Sequence, residues 1–506
     1  MNRYSFNALT EPWLPVITLS GKSEELGILD CLERAHELKE IRANAPIVEF
    51  GLYRLLTAFV LDMLISAGRR PEIPPDLKQL LRGEKFDIGM IRQYVEMCGD
   101  VFDLFHPERP FLQTKMADEP EKALAGMFPA VPSGTNAMIW HHGNEQDFSV
   151  SAREAVGLLT TIAPFMTSGG AGLSPSINGA PALYTLPSGN TIFETLVMNI
   201  IPARSQENGD GKIAWRNDRS PGGDRSQATL PEALTWRPRQ IQLIPENSCG
   251  GGIVVRKMKF KKGDSTRMEW RDPNIAYRFD KDKITPVRMR ENRPVWRDSG
   301  PLVLLNQLSR GSGDNKVSFR RSDVVEQAFQ LSGKDKKIIV HIYGMRTDMK
   351  MKIFEWVKSS LVIPSNLGIS TRLGALVQNE LDKADQASYF LRSCIKNLYP
   401  RGGEGNKNAL AALVERSEKA FWQNLESVFF ELMQEISSLP PDSAEDADTI
   451  NSSAKDWRSS IRRFALEQFD TAAKDMDADS DALARLVNSR ARLRRKISEI
   501  FGEVAK

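Results

Sequence analysis

Apolar positions in the first quarter of the chain recur with helical spacing. The pattern covers two segments, 30–43 and 46–66, and is stronger in the second. In the first segment the apolar positions are Leu32, Ala35, Leu38 and Ile41. A spacing of three to four residues places apolar side chains along one face of a helix. The sequence therefore predicts two core helices here and a mainly helical chain to about residue 125.

Short β-branched runs alternate with segments rich in glycine, proline, serine and asparagine between about residues 125 and 340. The clearest runs are 241–244, 253–260 and 338–343. Runs of this length between turn-forming residues are typical of β-strands. The middle of the chain is therefore predicted to be a loop-rich β region.

Long helical periodicity returns after about residue 366. The periodic segments are 369–398, 409–437, 453–472 and 479–503. Four helices with compact connections favour an antiparallel bundle. We therefore predict an α+β protein, with a large mixed N-terminal domain at 1–365 that carries the loop-rich β region, followed by a C-terminal four-helix bundle at 366–506.

Composition and charge are those of a soluble globular protein. Hydrophobic residues make up 41% and charged residues 26% of the chain, and no apolar run of about 18 residues occurs. The N-terminus lacks the charged and apolar regions of a secretory signal, so a cytoplasmic protein without a membrane partner is expected. The net charge is only +3. Any anionic partner must therefore be held by local basic patches.

Motifs that carry bond chemistry are missing from the sequence. The five histidines form no HExxH motif, and the four cysteines form no CxxC pair. His141 and His142 are adjacent, which is more typical of a surface loop than of a metal site. The sequence also lacks a GxSxG elbow and a phosphate-binding GK[ST] loop. We therefore expect no enzyme activity, no cofactor and no metal site.

Basic residues cluster in three segments. The segment 256–262 holds five basic residues in seven, 281–297 holds six with two acids, and 485–496 holds six in twelve with no acid. Such patches can neutralise phosphates and release counterions, although each could equally be a solvated face. Together with the missing catalytic motifs, they favour a nucleic-acid-binding subunit over an enzyme.

Six short motifs occur in a family order along the chain. They are LTEPWLPV at 9–16, LERAHEL at 32–38, APIVE at 45–49, FDLFHPERPF at 102–111, PSGTN at 132–136 and YPRGG at 399–403. With these motifs the sequence resembles the CasA family, the large subunits of type I-E CRISPR Cascade complexes, over essentially its whole length.

The resemblance implies a non-catalytic subunit that recognises the PAM in double-stranded DNA and helps to open the duplex, while guide RNA pairing reads the target. The implied partners are the other Cascade subunits, the CRISPR guide RNA, PAM-bearing target DNA and a separate CRISPR helicase-nuclease. Two other functions stay open: a scaffold that contacts only guide RNA and protein, and a divergent nuclease accessory enzyme.

Two family loops map onto this sequence by resemblance. The loop that anchors the subunit near the 5′ end of the guide RNA maps to 136–143, with Ile139, Trp140 and His141 as contacts. Trp140 could instead be a core residue. The glycine-rich loop that approaches the PAM minor groove maps to 168–172, with Gly169, Gly170 and Gly172 allowing close backbone approach. A simple tight turn is the alternative.

Two family hairpins also have counterparts. A lysine-bearing hairpin that enters the minor groove maps near 272–283, with Lys281 as first choice and Arg278 or Lys283 as alternatives. A wedge that splits the first target base pair maps to 344–352, with Asp348, Met349 and Lys350 at its tip. Relatives often carry a glutamine at this tip, so the sequence departs from the pattern here. Met349 could instead pack in a core turn.

The helical tail supplies the last candidate contacts. The family bundle helps to hold the opened target, and Arg492, Arg494 and Arg495 lie on the basic segment of the last predicted helix. A displaced strand can be tracked by charge without sequence readout. We therefore expect these arginines to contact the displaced strand.

Overall fold

The computed structural model describes most of the chain, and the described residues contain 15 α-helices and 16 strands. The described residues are 4–125, 128–129, 148–168, 172–202, 207, 211–248, 250–281, 283–305, 308–310, 317–333, 336–348, 352–399, 404–440, 447–474 and 480–502. The helices are α1 (Ile28–Glu33), α2 (Pro46–Ser66), α3 (Pro74–Arg82), α4 (Ile88–Cys98), α5 (Ala152–Thr160), α6 (Ile162–Phe165), α7 (Ile192–Asn199), α8 (Leu230–Leu234), α9 (Asp323–Leu331), α10 (Ser365–Ile369), α11 (Thr371–Leu398), α12 (Glu404–Ser437), α13 (Ala447–Ser453), α14 (Lys455–Ala472) and α15 (Ser480–Ile500).

The strands form several small sheets. They are β1 (Leu14–Thr18), β2 (Ser23–Leu26), β3 (Leu38–Ile41), β4 (Lys122–Ala123), β5 (Val150–Ser151), β6 (Tyr184–Ser188), β7 (Gly223–Arg225), β8 (Arg239–Asn247), β9 (Ile253–Lys262), β10 (Asp264–Thr266), β11 (Tyr277–Asp280), β12 (Lys283–Pro286), β13 (Leu308–Arg310), β14 (Val317–Arg320), β15 (Lys337–Thr347) and β16 (Ile353–Pro364). The predicted α+β class is confirmed.

The described residues form two compact units. The first comprises 1–289, 322–332 and 338–361, and the second comprises 290–321, 333–337 and 362–506. The second unit thus holds the helices after residue 365 together with two upstream segments. The boundary at 365/366 stays a prediction.

Helix α2 lies at the centre of the first unit. Its residues are buried almost without interruption from Ile47 to Leu64, as expected for a helix that is surrounded by protein. Three charged side chains, Glu49, Arg54 and Asp62, nevertheless lie in it and are at most 5% exposed. Each of them has a partner: Tyr343 for Glu49, Asp272 for Arg54 and Tyr94 for Asp62.

The helix predicted over 30–43 is wrong in its second half. Helix α1 ends at Glu33, and Leu38–Ile41 form strand β3, which pairs with β1. Leu38 and Ile41 are buried in this strand, with the two residues between them more exposed, so the helical spacing of the apolar residues did not distinguish the two structures. Pairing with β1, and a hydrogen bond of 2.9 Å from the Ile41 amide to the Tyr53 hydroxyl, stabilise the strand.

Two sheets and one hairpin of the first unit support the candidate site. Strand β9 is the centre of one sheet and pairs with β4, β5 and β8. Strand β15 lies between β6 and β16 in another, and β11 and β12 form an antiparallel hairpin. The strands predicted at 241–244, 253–260 and 338–343 are thereby confirmed as β8, β9 and β15.

The second unit contains the predicted bundle. The long helices α11, α12, α14 and α15 cover the four predicted segments, and the short α13 precedes α14. Trp422 and Phe429 on α12, Trp457 on α14 and Leu493 on α15 are at most 1% exposed. Trp457 donates from its indole nitrogen to the Glu380 carbonyl oxygen over 3.2 Å.

Candidate nucleic-acid interface

Lys281 lies at the tip of a two-residue hairpin loop. Strands β11 and β12 pair Asp280 with Lys283, so Lys281 is the first residue of the loop. Its φ is +52°, the positive value that the first position of a tight hairpin turn requires. The side chain is exposed. The hairpin predicted near 272–283 thus consists of two strands at 277–280 and 283–286.

The other two basic residues of this hairpin differ in their contacts. Arg278 donates from Nη2 to Asp280 Oδ2 over 2.8 Å, so an intrastrand ion pair holds its guanidinium. Lys283 is exposed beside the tip. Within the described part of the chain, neither Lys281 nor Lys283 pairs with a carboxylate. Lys281 therefore offers an exposed ammonium at the apex of the hairpin.

The base of the hairpin is fixed by buried Asp272. The Asp272 amide donates to the Tyr277 hydroxyl over 2.6 Å, and Asp272 Oδ1 accepts from the Asn274 amide over 3.0 Å. Its other oxygen, Oδ2, accepts from Arg54 Nη2 over 2.7 Å. Burial by itself would raise the pKa of Asp272. The positive charge of Arg54, its hydrogen bond, and the hydrogen bonds from Asn274 and Asn178 instead hold this pKa below its usual value. Asp272 is therefore ionised and rigidly held.

The described part of the glycine-rich loop is Ser168 and Gly172; Gly169 and Gly170 lie outside the described residues. Gly172 is exposed, has a φ of +76° and would have no atom within 4 Å of an added Cβ. Glycine is therefore favoured there by backbone conformation and not by crowding. The Ser176 amide donates to the Met166 carbonyl over 2.9 Å and closes the base of the loop.

Arg239 on β8 binds both stems of the glycine-rich loop. Its Nη2 donates to the carbonyl oxygens of Thr167 and Ser168 over 2.9 and 2.7 Å, and its Nη1 donates to that of Ser174 over 2.6 Å. Arg239 is only 3% exposed. Burial lowers the pKa of Arg239 to about 10, so it stays charged at neutral pH.

One buried cluster connects the glycine-rich loop with the lysine hairpin. Asn178, just after the loop, donates from Nδ2 to Asp272 Oδ2 over 3.0 Å and to the Tyr184 hydroxyl over 3.1 Å. Tyr184 in turn donates to the Pro164 carbonyl, just before the loop, over 2.7 Å. The first unit therefore holds these two predicted sites on a common rigid base.

The predicted wedge lies between β15 and β16, and the structure describes only its margins. The amide of Asp348 donates to the Lys352 carbonyl over 3.2 Å, and the amide of Lys352 donates to Asp348 Oδ1 over 3.1 Å. The Asp348 carboxylate thus closes the loop at its base. Met349 and Lys350 lie outside the described residues, as do Ile139, Trp140 and His141 of the predicted guide-RNA loop.

A buried carboxylate of α2 fixes the stem of the wedge. Glu49 Oε1 accepts from the Tyr343 hydroxyl on β15 and from Lys358 Nζ on β16, both over 2.6 Å. On the same strands, His341 Nδ1 lies 2.8 Å from the Ser360 hydroxyl. Burial, and then the charge of Lys358, lowers the pKa of His341 to about 4.

The basic segment at 256–262 is largely neutralised by its own unit. Arg256 pairs with Glu246 over 3.3 Å, and Lys257 pairs with Glu121 over 3.4 Å. Lys259 donates to two backbone carbonyls, those of residues 116 and 117. These contacts favour the alternative that this segment is a solvated face of the protein.

The basic helix α15 is partly neutralised as well. Arg490 forms two hydrogen bonds with Asp470, over 2.8 and 2.9 Å, and Arg495 approaches Glu499 at 3.7 Å. Arg492 and Arg494 are exposed, and within the described part of the chain neither pairs with a carboxylate. Among the described residues of this helix, the exposed arginines without a carboxylate partner are therefore Arg492 and Arg494, and their contact with a displaced strand stays a prediction.

Sequence reasoning missed the buried residues that position these elements, Arg239 and Asp272 above all. A partial signal existed for their partners, because Glu49 and Arg54 interrupt an otherwise apolar helix, where a charge requires a buried partner. Nothing in the sequence identified those partners. Within the described ranges, no group of three His, Cys, Asp or Glu side chains could hold a metal ion, and no helix is long and apolar enough to cross a membrane.

Comparisons with known proteins agree on one family. The family model described as CRISPR-associated protein Cse1 matches residues 7–468. The CRISPR-associated protein CasA/Cse1 of Thermus thermophilus is 27% identical, over 99% of this chain and 98% of its own length.

Solved structures share the fold. Cse1 from Acidimicrobium ferrooxidans superposes with a TM-score of 0.77 at 19% identity, over 99% of both chains. A chain of a structure called CRISPR RNA-guided surveillance complex has a TM-score of 0.73 at 18% identity, over 97% of this chain and 99% of that chain. Because the family model spans most of the sequence, the chain belongs to the CRISPR-associated Cse1 (CasA) family.

Proposed function

We propose that this chain is the large subunit of a type I-E CRISPR Cascade surveillance complex, that it recognises the PAM in double-stranded DNA, and that it helps to open the duplex. Family membership supports the subunit assignment. The observation that carries PAM recognition is Lys281, an exposed ammonium at the apex of a hairpin whose base is fixed by buried Asp272.

The shape and charge of the hairpin suit the minor groove. A two-residue loop is narrow, and a lysine at its tip can donate to the acceptor atoms that purines and pyrimidines expose there. Minor-groove readout is degenerate, so such a contact tolerates several PAM sequences. The glycine-rich loop, with Gly169, Gly170 and Gly172, would bring its backbone close to the same groove, since it is anchored to the same buried cluster.

Duplex opening is assigned to the wedge between β15 and β16. Its tip would be Met349, between Asp348 and Lys350, and an apolar side chain can unstack a base step at a cost of a few kcal/mol. The stem of the wedge is held in place for duplex opening because Glu49 on α2 bonds to both of its strands. The separated strand would then be held by Arg492 and Arg494, with Arg495 beside them.

The remaining contacts are with the complex. Ile139, Trp140 and His141 would anchor the subunit near the 5′ end of the guide RNA, where an aromatic ring can stack on a base. A separate helicase-nuclease would dock on the assembled complex and perform the cleavage, so the chain itself would do no bond chemistry. Assembly would take place in the cytoplasm, where guide RNA and invading DNA meet.

The test is duplex binding by the assembled complex. The chain is combined with guide RNA and the other Cascade subunits, and binding is measured to two target duplexes that differ only in the PAM. We expect tighter binding to the PAM-bearing duplex, and loss of that difference when this chain is omitted. Equal binding to both duplexes would contradict PAM recognition and favour a scaffold that contacts only guide RNA and protein. Metal-dependent DNA cleavage by the chain alone would favour the accessory nuclease.

A further inference from the structure

Arg239 carries a buried charge whose described partners are all backbone carbonyl groups. Its residue is 3% exposed, and no carboxylate of the described residues pairs with it. Arg54, in the same unit, is buried with Asp272 as counter-ion. Burying a charge is costly unless its hydrogen bonds are satisfied. Arg239 meets this need with four bonds, to the carbonyls of residues 167, 168, 174 and 238.

The positions of these carbonyls make the contact specific. Thr167 and Ser168 precede the segment 169–171, and Ser174 follows it. A planar guanidinium presents its donors in a rigid fork, so a single side chain fixes the distance between the two stems. A carbonyl oxygen that accepts from Arg239 also fixes the orientation of its peptide group, before the segment at Thr167 and Ser168 and after it at Ser174.

We propose that Arg239 is a positioning residue for PAM recognition: its guanidinium sets the spacing and orientation of the two stems of the glycine-rich loop without touching DNA. This inference rests on the proposed function of that loop. It assigns PAM discrimination in part to a side chain on β8, in the interior of the first unit.

The contacts around Arg239 distinguish a role in positioning the loop from a general contribution to folding. Strand β8 pairs with β9 along its whole length, from the pair Arg239 and Lys262 to the pair Asn247 and Ile253. The Arg239 side chain contributes none of these backbone bonds, so its replacement leaves the sheet paired. Among its described residues the loop keeps a bond of its own, from the Ser176 amide to the Met166 carbonyl. Loss of Arg239 should therefore loosen the stems while the sheet stays intact.

The experiment measures PAM discrimination, the ratio of Kd values for two target duplexes with and without a PAM, in the assembled complex with guide RNA. Arg239→Gln removes the fork, and we expect the ratio to fall about tenfold or more, within the range of one specific base contact. Binding to the duplex without a PAM should not change. Arg239→Lys keeps the charge but cannot span both stems, so it should give an intermediate ratio.

The matched control is Lys261→Gln, which removes one positive charge from the neighbouring strand at an exposed position and should leave the ratio unchanged. Hydrogen exchange should rise in residues 172–176 of the Arg239→Gln chain and not in β9. A purely structural role would lower the active fraction for both duplexes and leave the ratio unchanged in both Arg239 variants, which would overturn the proposal. Absence of PAM dependence in the unmodified complex would instead refute the proposed function itself.

Discussion

Arg54 Nη2 and Asp272 Oδ2 lie 2.7 Å apart in the interior of the first unit, with side chains that are 3% and 0% exposed. The pair connects the central helix α2 with the segment that carries the lysine hairpin. Asp272 also accepts from Asn178, next to the glycine-rich loop. A single buried ion pair therefore contributes both to the stability of the unit and to the geometry of its candidate DNA contacts.

Replacing Asp272 by asparagine should strongly destabilise the first unit. The substitution leaves the Arg54 guanidinium buried without a counter-ion, and breaking a buried pair in this way costs about 3–5 kcal/mol. The free energy of opening of α2, measured by native-state hydrogen exchange in low urea, should fall by this amount. Exchange in the second unit should not change.

The control is the exposed pair of the same hairpin. Arg278 and Asp280 lie 2.8 Å apart with side chains 43% and 41% exposed, so Asp280→Asn should cost no more than about 1 kcal/mol. Equal effects of Asp272→Asn and Asp280→Asn on the opening of α2 would mean that the buried pair has no special role.

His341 should make the first unit less stable in mild acid. Burial and the nearby charge of Lys358 lower the pKa of His341 to about 4 in the folded chain, against about 6.5 when unfolded. Above pH 6.5 the ring is neutral in both states. As the pH falls from 6.5 towards 4, the unfolded chain binds a proton that the folded chain resists, so stability is lost in that window.

The measurement is the free energy of opening of β15 at several pH values between 6.5 and 5. One proton gives a slope of at most about 1.4 kcal/mol per pH unit, and solvent around the half-buried ring reduces it. His341→Asn removes the titrating ring, so the free energy of opening should depend less on pH, by the slope that the proton on His341 contributes. Identical profiles for both chains would show that other groups cause the acid sensitivity.

Local patterns predicted the elements whose signal lies within a short stretch of sequence. The bundle helices α11 and α14 follow from periodicity alone, because one face of each helix must be apolar wherever it packs. Strand β9 follows in the same way from its β-branched residues. The local pattern did not predict the strand Leu38–Ile41, because the spacing of its buried residues fits a helix and a strand equally. Pairing with β1 stabilises the strand.

Contacts between distant parts of the sequence could not be predicted. Arg239 and Ser168 are 71 residues apart, and Arg54 and Asp272 are 218 residues apart. Local spacing carries no information on which charged residues will meet in the interior. The same limit applies to the segment 256–262, whose basic side chains looked free until the fold brought Glu121 to Lys257.

Removing the side chain of Lys281 should weaken binding to PAM-bearing duplex by roughly 1–3 kcal/mol, the scale of one specific base contact. Both Lys281→Ala and Lys281→Gly should have this effect in the assembled complex. The glycine variant is the sharper one, because glycine adopts a positive φ without strain and the hairpin keeps its turn. Binding is measured by titration of labelled duplex at fixed salt.

Comparison of Lys281→Ala with Lys281→Gly distinguishes loss of the ammonium contact with DNA from backbone strain in the hairpin turn. If only Lys281→Ala weakens binding, the hairpin conformation matters and the ammonium does not. Lys283→Ala removes the neighbouring exposed cation and should have a smaller effect, since Lys283 is not at the tip. A larger effect of Lys283→Ala or Arg278→Ala would assign the minor-groove contact to that residue, and no effect of any variant would remove the hairpin from the DNA interface.

Arg492 and Arg494 of α15, which are exposed and have no carboxylate partner among the described residues, should act after PAM binding. Replacing Arg492 and Arg494 by glutamate should reduce strand opening and its dependence on salt, because each lost phosphate contact lowers the salt slope by about 0.7–0.9. Initial binding to the PAM should change little. A permanganate footprint of the opened strand, taken at several salt concentrations, measures both quantities. The matched control, Arg416→Glu with Lys419→Glu, reverses two exposed cations on α12 and changes the net charge equally. If the footprint and slope of the α15 variant match those of this control, the effect is one of total charge, and α15 does not contact the displaced strand.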